Sequence, residues 1–384
     1  EAAKVCGATA FFIIALAAVI PMIPFKARDL GADGTHVGLL FSTFGAAALL
    51  AAPIWGRISD RLGRRPVLLG SGLLSGLAYV LLGAADTLGM MFAARLLAGL
   101  GFGWVPAAQA LASDIAPEGK RAAAIGLVGA SFGVGFTVGP GIQALADLWN
   151  FSLDAVAYVS AGFCGLAIAV VPGLPKGRKP TGERPSLWHV MPRVGAKLLA
   201  IHVCVFMAFT GVEATLALFV ADELQFVAGD VGLLLVLAGV ANAGVQGGLV
   251  GKLVPRLGEV RTAMAGHGCL VLGAFALIGS GMVGGSFAVY PAMILFTCGL
   301  GLHAPAMQTA LARIAGENGR GVALGAAQSA ATGARVVGPA LAGTIYDSLA
   351  HAAPFLMAAG LAALAAIIAL TTTLPREDAA NAPA

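Results

Sequence analysis

Ionisable side chains lie inside long apolar stretches of the sequence, and proton transfer is a chemistry suited to such positions. Glu213 lies in FMAFTGVEATLALF and Arg335 in GARVVGPALAG. A carboxyl group in a low-dielectric surrounding is costly when ionised and cheap when protonated. Glu213 is therefore the leading candidate for a proton carrier, and Arg335 belongs to the same proton-coupling set. The alternatives are a static ion pair between Glu213 and Arg335, or a hydrogen bond from Glu213 to substrate.

A third embedded charge, Arg95, lies in ARLLAGLGFG. An arginine at membrane depth costs about 2.5 kcal/mol or more unless it is paired or hydrated. Arg95 is accordingly predicted to face a cavity, and the alternative is a structural bond to backbone carbonyl groups.

Enzyme motifs in the sequence lack their structural context. Gly129-Ala-Ser131-Phe-Gly133 fits G-x-S-x-G, but no strand precedes it. The six histidines lie in different segments without metal-ligand spacing, and there is no Walker loop. We therefore expect no enzyme activity, no metal and no cofactor, with an ion gradient as the energy source. A polytopic membrane enzyme or sensor is the rival of a different class.

The composition indicates a membrane protein. Only 11% of the 384 residues are charged and 58% are hydrophobic, whereas a soluble protein carries roughly 25% charge. A net charge of +4 without a basic stripe argues against nucleic acid as a partner. Crossing the bilayer takes ~20 residues, and the sequence contains twelve apolar stretches of about that length, at 5–25, 36–56, 66–85, 88–112, 121–146, 152–172, 198–221, 229–250, 262–282, 286–311, 321–346 and 352–373.

The spans divide into two similar halves. A basic, proline-rich connection at 175–197 separates residues 1–174 from 198–375, and a tail follows at 376–384. GRISDRLGRR in the first half aligns with GKLVPRLGEV in the second, and Gly139-Pro140 aligns with Gly338-Pro339. Two parallel six-span repeats with a substrate path between them are typical of a transporter.

The basic residues predict the orientation. With both termini in the cytoplasm, the cytoplasmic side holds nearly all of the 23 lysines and arginines, and the outer side holds Lys26 and Arg28. Such an asymmetry follows the positive-inside rule.

The loop between the second and third spans resembles the G-x-L-x-D-R-x-G-R-[RK] motif of the major facilitator superfamily. Here it reads Gly56-Arg-Ile-Ser-Asp60-Arg61-Leu-Gly63-Arg64-Arg65. The resemblance implies an all-α fold of twelve transmembrane helices in two pseudo-symmetric six-helix bundles. It also implies that Asp60 latches the halves on the cytoplasmic side, with Arg121 and the region of Gly319-Arg320 as partners. The alternative is a solvated basic loop that binds anionic lipid.

The fifth span resembles the G-x-x-x-G-P motif associated with exporters of this family. Its members here are Gly135, Gly139, Pro140 and Gly141. Small residues let helices approach closely, and a proline weakens the backbone bonding of its helix. The alternative is ordinary tight packing in an alanine-rich bundle.

The resemblance also implies functional side chains in other spans. Arg95 is similar to the membrane arginine that the family associates with proton coupling. The first, fourth, seventh and tenth spans line the cavity of this fold, so the implied lining residues are Phe11, Trp104, Gln109, Phe206, Phe209, His303 and Gln308. Each of them has interhelical packing or lipid contact as its alternative, and His303 has a hydrogen-bonded structural role.

The sequence thus predicts a monomeric secondary transporter in a bacterial inner membrane. We expect a proton-coupled antiporter that exports small lipophilic or weakly cationic compounds by alternating access. The alternative within the same fold is a proton-coupled symporter or facilitator of a small organic solute or anion.

Overall fold

The structure is a computed structural model. It describes residues 1–117, 121–175, 177, 193–283 and 286–372, with the backbone alone at 121–123, 193–194, 283, 317, 318 and 320. Every regular element within these residues is helical. The predicted all-α fold is confirmed.

Eight α-helices cover the first part of the chain. They are α1 (Ala2–Ala18), α2 (Met22–Asp29), α3 (Gly34–Leu62), α4 (Arg64–Gly83), α5 (Leu88–Leu100), α6 (Trp104–Ile115), α7 (Arg121–Leu148) and α8 (Leu153–Val170).

Six further α-helices follow among the described residues. They are α9 (Arg193–Leu224), α10 (Ala228–Gly244), α11 (Val250–Leu257), α12 (Glu259–Val283), α13 (Val289–Ser348) and α14 (Ala353–Leu370). A π-helical turn, Val245–Leu249, joins α10 to α11.

Eleven helical segments of the described chain are long and apolar enough to cross a membrane. They correspond to eleven of the twelve predicted spans. The predicted span 321–346 is also helical but falls outside this set, because its small residues, its glutamine and Arg335 make it less apolar. Eleven of the predicted spans are thus helices able to cross a membrane by length and composition, and the twelfth stays a prediction.

Local sequence explains where several helices begin and end. Asp33 begins α3 by accepting a 2.8 Å hydrogen bond from the backbone N–H of His36, and this bond holds the pKa of the Asp33 carboxyl below its ordinary value. Gly63 ends α3 with a φ of 95°, and α4 begins at the next residue. A positive φ favours glycine, so this tight turn depends on the loop motif. Gly316, with a φ of 66°, divides α13 into two helical segments.

Packing divides the chain into two compact units. One consists of Glu1–Thr181 with Leu216–Gly239, and the other of Gly182–Thr215 with Val240–Ala384. The end of α9 and most of α10 thus pack with the first half of the chain. The predicted boundaries, 1–174, 175–197, 198–375 and 376–384, stay a prediction, and most of the linker and the whole tail lie outside the described residues.

Each unit is held by close helix packing around large side chains. Trp104, Tyr79 and Phe12 are fully buried in the first unit, as are Phe296 and Phe355 in the second. Lipid tails are as apolar as these side chains, so shape-complementary contact stabilises the helices more than removal from water does.

Candidate functional site

The embedded acid and base of the second unit lie side by side. Arg335 Nη1 on α13 donates to Glu213 Oε2 on α9 at 3.4 Å. The Glu213 side chain is 9% exposed and that of Arg335 is 30% exposed. The pair is thus partly shielded, with its arginine the more accessible partner. Neutralising Glu213 would weaken the Coulomb attraction between the two helices.

Two glycines bring the neighbouring helices close to this pair. A Cβ atom at Gly338 would lie 2.6 Å from Thr210 Oγ1 and 2.8 Å from the Met207 carbonyl oxygen, so a larger residue does not fit there. A Cβ at Gly211 would lie 3.2 Å from the Cβ of Ala342. The second-half Gly338-Pro339 repeat therefore lies at a close approach of α9 and α13.

Arg95 has different surroundings in the first unit. Arg95 as a whole residue is 3% exposed, and its Nε donates to the Leu40 carbonyl oxygen at 3.3 Å. Its guanidinium carbon lies 4.6 Å from the ring centroid of Phe44 and 5.4 Å from that of Phe41. A carbonyl bond and two aromatic faces are a structural arrangement for a buried cation.

The loop motif forms a network around Arg64. Its Nε donates to Asp114 Oδ2 at 3.0 Å, and its Nη1 donates to Ser59 Oγ at 2.6 Å and lies 3.5 Å from Asp60 Oδ1. Arg64 is buried, whereas Arg61 is exposed and Gly56 and Arg65 are half-buried. The motif thus ties the start of α4 to the ends of α3 and α6.

The predicted partners of Asp60 cannot be placed beside it. The side chains of Arg121 and Arg320 lie outside the described residues.

The glycine motif of α7 contacts two helices. A Cβ at Gly135 would lie 2.3 Å from Ile13 Cγ2, and one at Gly139 would lie 2.7 Å from Ala17 Cβ. These two glycines therefore permit the close approach of α1. Gly141 lies on the side of α10, where its Cβ would be 3.4 Å from Val236 Cγ2.

Helix α10 contributes matching glycines that the sequence analysis missed. A Cβ at Gly232 would lie 2.6 Å from the Pro140 carbonyl oxygen, and one at Gly239 would lie 2.8 Å from that of Phe136. A Cβ at Gly229 would lie 2.5 Å from Asp147 Cβ. The signal that could have found this face is the spacing of the three glycines along α10.

The predicted lining residues are distributed between core and surface. Trp104 is fully buried, stacks on Phe12 at 5.0 Å and donates to Thr9 Oγ1 at 3.4 Å. His303 is fully buried in the second unit. Gln308 is exposed, and the half-buried members of the set are Phe11, Gln109, Phe206 and Phe209.

Two ion pairs between distant segments were also missed. Arg28 on α2 forms two hydrogen bonds to the Asp222 carboxylate near the end of α9, at 2.7 and 2.6 Å. Lys26 bonds Asp154 and also donates to the Gly83 carbonyl oxygen at 2.9 Å. The sequence did carry a signal, because Lys26 and Arg28 are the basic residues assigned to the outer side.

Three buried histidines lie in hydrogen-bond contact, although each had been considered separately in the sequence. His303 on α13 lies between His202 on α9 and His267 on α12. No group of three or more His, Cys, Asp or Glu side chains with metal-site geometry occurs among the described residues.

Long apolar helices around an embedded carboxylate–arginine pair define a polytopic membrane transporter. Residues 5–339 match the sequence profile of the Major Facilitator Superfamily. The chain therefore belongs to that family, and the resemblance drawn from the loop motif is confirmed. Members of this family are transporters rather than enzymes, and they use ion gradients without a cofactor.

Relatives and a solved structure agree with this assignment. The tetracycline resistance protein, class C, of Escherichia coli is 29% identical over 360 residues, which cover 90% of this chain and 89% of the relative. Multidrug resistance protein 2 of Bacillus subtilis is 26% identical over 354 residues, covering 88% and 87%. The human organic anion transporter MFSD10 (TETRAN) shares the fold, with a TM-score of 0.71, 21% identity and coverage of 96% and 98%.

Proposed function

We propose that this chain is a proton-coupled antiporter that exports small lipophilic or weakly cationic compounds. It acts as a monomer by alternating access, in a bacterial inner membrane with both termini in the cytoplasm. The names of its relatives, which refer to tetracycline and multidrug resistance, support this substrate class. The basic residues of the loop motif support the orientation.

The observation that carries the proposal is the embedded pair of Glu213 and Arg335. The ionised carboxylate attracts Arg335 at 3.4 Å. When Glu213 takes up a proton, this attraction is lost and the second segment of α13 is less strongly held to α9. A proton and a weakly cationic substrate both compete with Arg335 for the same carboxylate. Such competition makes substrate leave as a proton binds, which is antiport.

The glycine contacts of α7 allow this helix to move against its neighbours during the proposed transport cycle. Because α1 and α10 approach α7 without intervening side chains, small helix rotations change many contacts at once. In our proposal Gly135, Gly139, Pro140 and Gly141 form the surface on which α7 rocks. The bidentate bond between Arg28 and Asp222 holds the outer end of α9 in one of the two states.

The loop motif is proposed as the cytoplasmic counterpart of that outer bond. Arg64 fixes the motif to Asp114 and Ser59, which positions Asp60 at the end of α3. Asp60 would then latch the cytoplasmic side in the opposite state through Arg121. Arg61 and Arg65 add positive charge that suits anionic lipid.

Substrate would contact the aromatic and amide side chains of the predicted cavity set. Phe206 and Phe209 lie on α9 between one and two turns from Glu213. Gln109 and Gln308 supply neutral hydrogen-bonding groups at matching positions of the two halves. This chemistry fits a lipophilic compound better than a phosphate or a sugar.

The direction of flux under a pH gradient tests the proposal. Purified protein in proteoliposomes with an acid lumen should accumulate ethidium or tetracycline as protons leave. Liposomes that contain Glu213→Gln correct for passive trapping in the acid lumen. Accumulation driven by the opposite gradient would instead establish a symporter, and flux without response to pH would establish a facilitator.

A further inference from the structure

Three imidazole rings form a continuous hydrogen-bonded row inside the second unit. His202 Nδ1 lies 3.2 Å from His303 Nε2, and His303 Nδ1 lies 3.0 Å from His267 Nε2. Their exposed fractions are 1%, 0% and 0% in the order His202, His267 and His303. We call these three residues the histidine chain. His303 is its centre, because both of its ring nitrogens take part in bonds to imidazole.

The bonding pattern leaves two ways to arrange protons in the neutral histidine chain. A neutral imidazole has one N–H donor and one acceptor nitrogen. His303 must therefore donate to one neighbour and accept from the other. Reversing the direction of both hydrogen bonds gives the second arrangement. The three rings together carry three N–H groups in each arrangement. In either arrangement His267 Nδ1 stays buried without a hydrogen-bond partner among the described residues.

The same geometry can also accommodate one additional proton on the His303 ring. Protonated His303 has two N–H donors, and both already point at imidazole nitrogens of His202 and His267. Hydrogen bonds from a charged donor are roughly twice as strong as neutral ones. The two flanking rings thus supply the stabilisation that a buried cation needs in place of water.

The surroundings of the histidine chain contain little other charge. The ionisable groups in hydrogen-bond contact with His303, within the described residues, are His202 and His267. The acid–base pair Glu259 and Arg313, joined at 3.0 Å, lies at the start of α12 and just before the Gly316 kink of α13. Helix α14 carries no ionisable side chain, and the ionisable groups nearest in sequence on the other helices are Cys204 on α9, Cys269 on α12, Cys298 on α13, and Lys252 and Arg256 on α11.

The histidine chain and Glu213 share one face of α9. His202 and Glu213 are eleven residues apart, which is about three helical turns and about 16 Å. Phe206 lies between them, with its ring centroid 4.6 Å from that of His202. The two sites therefore lie along the same face of one helix.

We propose that the histidine chain is a second proton-binding site, in which His303 holds one excess proton between His202 and His267. A proton arrives at His202, and the proton of the adjoining N–H···N bond moves to His303. The neutral chain carries three ring N–H bonds and the occupied chain carries four. No electron is transferred, and release follows the same route in reverse. The role of this site in transport rests on the proposed antiport, but the binding of the proton does not.

Nitrogen-15 NMR of histidine-labelled protein in lipid nanodiscs tests the site with the proton itself as the ligand. Spectra between about pH 5 and about pH 8 should show one imidazolium within the histidine chain, at His303, with His202 and His267 each singly protonated. A pH-electrode titration should lose about one proton per chain in His303→Gln. The His303 imidazolium signal should remain in the NMR spectra of Glu213→Gln and of His351→Gln, which changes an exposed histidine outside the chain.

Two results would overturn the site. One is that the three histidines titrate independently of one another, and the other is that none of them binds a proton over this range. If His303→Gln does not fold, His267→Gln removes one acceptor of the same proton and should shift the His303 signals. A wild-type protein that shows the His303 imidazolium but moves substrate without response to pH contradicts the antiport proposal and leaves this site intact.

Discussion

The two arginines inside the spans have different surroundings, although each was assigned to proton coupling. Arg335 is 30% exposed and bonds a carboxylate at 3.4 Å. Arg95 is 3% exposed, bonds the Leu40 carbonyl oxygen at 3.3 Å and lies over Phe41 and Phe44. The contacts of Arg335 include a group that titrates, whereas a carbonyl oxygen and aromatic rings keep their charge at any physiological pH.

Burial of an arginine inside a span therefore does not by itself indicate a role in proton coupling. A buried arginine is costly in both places, and a partner that changes charge, such as Glu213, can couple proton binding to motion. The carbonyl and aromatic contacts of Arg95 are of the kind that its structural alternative expects, whereas Arg335 contacts a carboxylate. The proton-coupling role of both arginines stays a prediction. Substitutions at the two sites should therefore give different patterns of stability and transport.

Glu213→Gln should have the largest effect on transport. The amide keeps the size of the side chain but cannot ionise, so substrate can still bind while gradient-driven accumulation falls at least about tenfold. Ethidium or tetracycline accumulation in proteoliposomes measures this. The matched control is Glu223→Gln on the same helix, where the side chain is exposed. Normal, pH-dependent accumulation by Glu213→Gln would move the proton site elsewhere.

Arg335→Leu should come next, because it removes the cation beside Glu213. The carboxyl would then favour its protonated form, and accumulation should fall several-fold. Thermal unfolding of the purified protein should show a loss of stability, and Glu213→Gln combined with Arg335→Leu should be more stable than Arg335→Leu alone. Additive effects of the two substitutions would show that the residues act independently.

Arg95→Lys and Arg335→Lys compare one substitution at both sites. Lysine cannot keep the planar contact with two aromatic rings, so Arg95→Lys should cost about 1–3 kcal/mol of stability. Lysine retains the charge opposite Glu213, so Arg335→Lys should cost less than about 1 kcal/mol. Denaturation of both variants in the same detergent gives the two values. Equal losses would remove the distinction between the two arginines.

Asp60→Asn should have the smallest effect. It removes a charge at the end of α3 without changing any span, so transport should slow about two- to fivefold at normal expression. Initial rates of efflux from cells, corrected for protein level, measure the change. An unchanged rate would leave the loop motif as a structural turn that binds lipid.

A local turn and one pair of opposite charges could be predicted from the sequence. Gly63 belongs to a motif whose turn requires a positive φ, and the structure has φ of 95° there. The ion pair of Glu213 and Arg335 was predicted as an alternative, because pairing lowers the cost of placing two opposite charges inside apolar spans.

Features that depend on the relative rotation of distant helices could not be foreseen. The histidine chain joins residues 36 and 101 positions apart, and no spacing rule connects them. The contact of Gly232 with Pro140 depends in the same way on how α10 meets α7.

The central claim is that substrate and proton compete at Glu213, and proton release on substrate binding tests it most directly. Purified protein in weakly buffered detergent solution is mixed with tetracycline or ethidium, and the pH is followed. At a pH at which Glu213 of the substrate-free protein is protonated, we expect release of about one proton per substrate bound by the wild type and none by Glu213→Gln, although the variant still binds. Equal release by both proteins, or none by a wild type that binds substrate, would contradict the account.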